Sequence, residues 1–146
     1  MILAFTAANI VPTTSMDDRN SPITPNDLAP TECAGITLTN KVSGTGTING
    51  TAQNDLILGT SGNDDIRGRQ GDDCIVAGGG DDLVRGNQGD DVILGGPGVD
   101  DLQGNNDADD LYGEAGDDDL DGGVGTDVCT GGPGADTFTR CETQNP

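Results

Sequence analysis

An apolar side chain recurs at every ninth residue between Gly50 and Thr139: Ile57, Ile66, Ile75, Val84, Ile93, Leu102, Leu111, Leu120, Cys129 and Phe138. This spacing is too sparse for the core of a sandwich and has the wrong period for a helix. It fits a repeated unit in which a six-residue turn feeds a three-residue strand. Along such a strand neighbouring side chains point to opposite faces, which sends position eight of the unit inward and positions seven and nine outward. The predicted fold is all-β: a flattened right-handed coil with two nonapeptides per turn and about five turns, its two parallel sheets stacked over a thin core.

Polar residues keep the same period. Position six is aspartate in all ten units: Asp55, Asp64, Asp73, Asp82, Asp91, Asp100, Asp109, Asp118, Asp127 and Asp136. Positions one and four are glycine in most units, as in Gly59-Thr-Ser-Gly62-Asn-Asp64 and Gly95-Gly-Pro-Gly98-Val-Asp100. Glycine at those places permits positive φ and a tight turn on which backbone carbonyls converge.

These units resemble the Gly-Gly-x-Gly-x-Asp-x-U-x nonapeptides of the repeats-in-toxin (RTX) family, over residues 50–139. The resemblance implies a parallel β-roll with calcium between turns stacked on the same edge. Each ion would be held by the position-six aspartates of repeats n and n+2 and by loop carbonyls. Asp55, Asp73, Asp91, Asp109 and Asp127 then form one column of metal ligands, and Asp64, Asp82, Asp100, Asp118 and Asp136 the other. Four between-loop positions per column give up to about eight calcium ions. Position four departs from glycine at Gln53, which marks an incomplete terminal site, and at Asp107, which calls into question the sites on either side of the 104–112 repeat.

Donor chemistry agrees with calcium. The chain has no His, so zinc or copper would lack their usual ligands. Calcium takes six to eight oxygens in flexible geometry, whereas magnesium holds its waters in a strict octahedron. No EF-hand is closed by Glu32, Glu114 or Glu142. The net charge of -20, carried by 23 Asp and three Glu, disfavours binding to nucleic acid or insertion into an anionic membrane. Residues 50–139 hold 21 acids against Arg67, Arg69 and Arg85, a net of -18 that eight calcium ions (+16) would nearly cancel. Metal binding and folding are therefore expected to be one event.

The two sheets should present different outer faces. Leu56, Leu58, Val76, Val92, Leu94 and Tyr112 make one of them largely apolar, whereas Asp65, Arg67, Arg85, Asp101, Gln103, Asp119 and Asp121 make the other polar. An apolar patch of this kind marks an interaction surface, covered either by the N-terminal segment or by a protein partner. Cys74 lies on that face, and Cys33 lies in the preceding segment beside Ile36 and Leu38. Of the three pairings four cysteines allow, Cys33 to Cys74 and Cys129 to Cys141 is favoured. An even cysteine count in a small, aromatic-poor chain suits an oxidising compartment.

The expected organisation is a signal-peptide remnant at 1–8, an extended linker at 9–32, a lead-in and capping strand at 33–49, the roll at 50–139 and a tail at 140–146. Lys41 to Asn49 keeps Gly44 and Ile48 in phase but has Gly46 in place of aspartate, and is read as a metal-free cap. No nucleophile-and-base constellation is present, so no enzyme is expected. Positions three and five lack the uniform ranks of Thr and Asn that ice binding needs. The leading expectation is an extracellular or cell-surface calcium-binding module, with a structural or adhesive role for the apolar face as the alternative.

Overall fold

The computed structural model of the protein describes residues 24–146. The expected signal-peptide remnant and most of the expected linker lie outside the described residues. Thirteen strands run in chain order: β1 (Asn40–Ser43), β2 (Thr47–Asn49), β3 (Asp55–Leu58), β4 (Asp65–Gln70), β5 (Cys74–Val76), β6 (Leu83–Gln88), β7 (Val92–Pro97), β8 (Asp101–Asn106), β9 (Asp110–Ala115), β10 (Asp119–Val124), β11 (Val128–Thr130), β12 (Thr137–Thr139) and β13 (Thr143–Asn145). The odd strands form one seven-stranded sheet and the even strands one six-stranded sheet. Pairing is parallel throughout, and in the repeat block it joins residues 18 apart, such as Ile57 with Ile75 and Ile66 with Val84. The coil therefore advances two nonapeptides per turn, as the period predicts.

Between the sheets lies the position-eight column. Ile57, Ile66, Ile75, Val84, Ile93, Leu102, Leu111, Leu120 and Cys129 are all fully buried in one cluster. Ile48 extends it at one end and the partly buried Phe138 packs at the other.

The ten repeats make the five turns expected, and the two strands of the cap together with β13 bring the solenoid to about six. Two expectations need correction. The strands are not all three residues long: β4, β6, β7, β8, β9 and β10 run to six, because the ladder resumes beyond position one, as in Arg69 with Asn87 and Gln70 with Gln88. The stretch read as extended linker contains single 3-10 turns at Pro25–Asp27 and Thr31–Cys33.

That segment crosses the outer face of the odd sheet. Ala29, Cys33 and Leu38 pack on Leu56, Cys74, Val92 and Leu94, with Ile36, Leu58 and Tyr112 at the margin. A Cys33–Cys74 disulfide fastens it, and Cys129–Cys141 fastens the last turn, the pairing favoured from sequence. Asn26 steadies the strap by accepting the Leu38 N–H on its side-chain oxygen (2.9 Å) and donating to the Leu38 carbonyl (3.3 Å). The apolar face is thus occupied largely by the chain itself. Leu56, Val92 and Leu94, three of the six residues singled out for a partner, are buried.

Candidate metal centre

Each position-six aspartate sits where a turn enters a strand, two residues before the inward position eight, so its side chain points into the turn. One carboxylate oxygen has a fixed role. The backbone N–H of Asp55 donates to Oδ1 of Asp73 (2.8 Å), that of Asp73 to Asp91 (2.7 Å), that of Asp91 to Asp109 (2.9 Å) and that of Asp109 to Asp127 (2.9 Å). On the other edge Asp64 donates to Asp82 (2.7 Å), Asp82 to Asp100 (2.9 Å), Asp100 to Asp118 (2.9 Å) and Asp118 to Asp136 (3.1 Å). The ten predicted residues thus stand in the two columns expected.

The second oxygen is the informative one. Oδ2 of Asp73, Asp82, Asp91, Asp100, Asp109, Asp118 and Asp127 is buried and has no hydrogen-bond partner. An unpaired buried carboxylate oxygen is costly and calls for a missing partner. Six of them, all but Asp82, lie against the position-one glycine of their own repeat, which leaves room for them. Built Cβ atoms on Gly68, Gly95, Gly104 and Gly113 would fall under 3.0 Å both from that Oδ2 and from the position-one carbonyl of the repeat one turn on. Ala77 alone places a methyl at position one.

Glycine at position one therefore serves close approach and not positive φ, contrary to the sequence reading. The left-handed residues are at position two, for example Gly96 at φ 111° or Asn87 at φ 89°, and at position four in five repeats, for example Gly71 at φ 101°, where the sequence reading holds. Among the described residues no three His, Cys, Asp or Glu side chains converge on one point. What converges is carboxylate oxygen and peptide carbonyl, a hard, all-oxygen donor set that fits calcium.

Burial governs the protonation of these groups. It raises Asp91 from 3.8 to about 9, partly offset by the Asp73 N–H and reinforced by the nearby charges of Asp73 and Asp109. Burial likewise raises Asp73, Asp100 and Asp109 to about 7 and Asp82 to about 6, and pushes Asp118 and Asp127 up as well. Burial thus disfavours the ionised form of these carboxyls.

Asp55, Asp64 and Asp136 differ from the other seven. Asp55 Oδ2 accepts the Thr51 N–H (2.6 Å), and its Oδ1 accepts from Asn40 Nδ2 (2.9 Å) and the Thr51 hydroxyl (3.1 Å). Asp64 Oδ2 accepts the N–H and hydroxyl of Thr60, both at 2.8 Å, and Gly46 N–H donates to its Oδ1. Asp136 is partly exposed, with no repeat one turn on to supply a carbonyl. The 104–112 repeat keeps its shape, because Asp107 adopts φ 75° in glycine's place and its Oδ2 accepts the Gly89 N–H (3.2 Å).

Sequence reasoning missed a second ladder at position five. There Asn54 Oδ1 accepts the Asp72 N–H, Asp72 Oδ1 the Asp90 N–H and Asp90 Oδ1 the Ala108 N–H, each at 3.0 Å. This ladder points up the column where the position-six ladder points down, so successive turns are clamped from both directions. The signal for it was the recurrence of Asn or Asp immediately before the invariant aspartate.

The fold is a parallel β-solenoid with oxygen-lined turns. Residues 42–75, 71–102 and 103–138 match the family model of the RTX calcium-binding nonapeptide repeat (4 copies). With well over half of its length matched, the chain belongs to that family, a structural calcium-binding family and not an enzymatic one. No curated protein and no solved structure matches the chain. No described helix is long and apolar enough to cross a membrane.

Proposed function

We propose that this protein is an extracellular or cell-surface module whose roll folds when calcium enters between its stacked turns. The observation that carries the reading is the set of seven buried, unpartnered Oδ2 atoms, all but that of Asp82 set against a position-one glycine. Six of them, on Asp73, Asp82, Asp91, Asp100, Asp109 and Asp118, lie between two nonapeptides and make the interior sites. Each site pairs that Oδ2 with the position-one carbonyl and the aspartate of the repeat one turn on. Asp55 and Asp64, already hydrogen-bonded to threonine, close the columns at the lead-in end without needing an ion. When bound, calcium supplies the positive charge and the remaining oxygen coordination that the buried carboxylates lack.

Folding is coupled to binding because the acidic chain repels itself without ions, and the site does not exist until turns stack. Two disulfides suit an oxidising compartment outside the cytosol, where calcium is also abundant. Titrating calcium into the chelator-treated, disulfide-intact chain while following far-ultraviolet circular dichroism tests the coupling. The expected result is a cooperative gain of β-signal with calcium and none at equal magnesium. A β-signal that persists unchanged in excess chelator at neutral pH contradicts it.

A further inference from the structure

The tenth repeat ends at Thr139, yet the odd column of carboxylates continues one step beyond it. β13 pairs with β11 so that Val128 faces Thr143, whereas Cys74 and Val92 in the same sheet sit 18 residues apart. The last turn is shorter by three residues, which brings Glu142 level with Asp127, where a further position-six aspartate would stand. Glu142 Oε2 accepts the Asp127 backbone N–H at 2.7 Å, the same bond that Asp127 Oδ1 makes with Asp109 at 2.9 Å. Arg140, 18 residues after Gly122, takes the position-one place. Its carbonyl oxygen and Asp127 Oδ2 both lie under 3.0 Å from where a Cβ on Gly122 would sit, reproducing the Gly86 carbonyl and Asp73 Oδ2 around Gly68.

Asp127 is fully buried and its Oδ2 has no partner. The Cys129–Cys141 disulfide holds the shortened turn on the core. The Arg140 guanidinium pairs with Asp121, and no ion pair among the described residues reaches Asp127 or Glu142. The lead-in end is finished in the opposite manner, with Asn40, Thr51 and Thr60 bringing donors that satisfy Asp55 and Asp64. An end closed by donors is complete by itself. An end closed by acceptors alone leaves the buried Asp127 Oδ2 for a cation to satisfy.

We propose that Asp127, Glu142 and the Arg140 carbonyl form a seventh calcium site outside the nonapeptide array, completing the odd column at its C-terminal end. This rests on the calcium reading of the interior turns. Glu142→Gln keeps an acceptor for the Asp127 N–H and the side-chain volume but removes the charge. Native mass spectrometry of the full, oxidised chain at saturating calcium should count one ion fewer in E142Q than in the wild type, with circular dichroism used to check that the variant is folded. An unchanged count in folded E142Q overturns the site and leaves Glu142 a hydrogen-bond cap. A wild type that binds no calcium overturns the interior reading as well. Should E142Q fail to fold, anomalous density from wild-type crystals grown in calcium decides: a peak between Asp127 and Glu142 supports the site, and peaks confined to the interior turns overturn it.

Discussion

The difference between a glycine and an alanine at position one bears directly on the site. A Cβ on Gly95 would lie 2.5 Å from Asp100 Oδ2 and 2.9 Å from the Gly113 carbonyl, so Gly95→Ala crowds the two oxygens meant for one ion. Ala77 shows that the turn accommodates one such methyl, so the variant should fold in calcium. It should nevertheless lose about 1–3 kcal/mol by overpacking, read as a lower melting temperature in saturating calcium. An unaltered melting temperature would show that the cradle is slack. Asp91→Asn acts in the opposite sense without metal. Asparagine copies the protonated acid that burial favours at Asp91 and keeps an acceptor for the Asp73 N–H. The variant should therefore show more β-signal than wild type in chelator at pH 8 and need more calcium to reach its plateau. Loss of β-signal in both conditions would contradict this. The ten aspartates were legible because an exact period exposes them. The threonine caps were not, because they depend on backbone conformation. Position two is left-handed in eight repeats, but at Thr51 and Thr60 it is not, and β-branched residues resist that region. Those two turns fold so that threonine reaches its own aspartate instead.

Among the elements, the strap and the last strand show how far a repeat frame carries. The apolar outer face of the odd sheet and Cys74 upon it pointed to a covering segment, and Cys33 beside Ile36 and Leu38 pointed to which one. The 3-10 turns at Pro25–Asp27 and Thr31–Cys33 were hidden by a composition of Pro, Thr, Asn and Asp that equally suits an extended chain. Glu142 was hidden for a different reason: a three-residue shortening removes it from the nonapeptide frame, and only the pairing of Val128 with Thr143 restores its level. The strap is expected to be fastened to the roll without being needed to form it. The Cys33–Cys74 bond spans 41 residues, for which loop-closure entropy gives about 4 kcal/mol. The double variant Cys33→Ser/Cys74→Ser should still gain β-signal with calcium, at a stability lower by about that amount. It should also bind a hydrophobic dye as Leu56, Val92 and Leu94 become accessible. A variant with undiminished stability and no dye binding would show that packing alone holds the strap.

For the whole molecule, protons and calcium compete for the same buried oxygens. The metal-free fold raises Asp82 to about 6, Asp73, Asp100 and Asp109 to about 7 and Asp91 to about 9, against 3.8 in an unfolded chain. The folded chain then holds more protons than the unfolded one across this interval, so acid favours folding. The stability these protonated carboxyls contribute is complete below about 4 and is lost as pH rises through about 6 to 9. In chelator, β-signal should accordingly grow as pH falls from 9 toward 5. Calcium reverses the trend, because it binds the ionised carboxylates and must displace the protons. More calcium should be needed to half-fill the sites at pH 5.5, where the chelated chain is already folded and protonated, than at pH 8, and calcium addition at pH 5.5 should release protons into a weakly buffered solution. These opposed trends separate a roll held by cations from one held by its hydrogen-bond ladders. Ladders alone would leave the calcium midpoint independent of pH and the chelated chain equally folded at pH 5 and 9, and that outcome would leave the unpartnered Oδ2 atoms without a function.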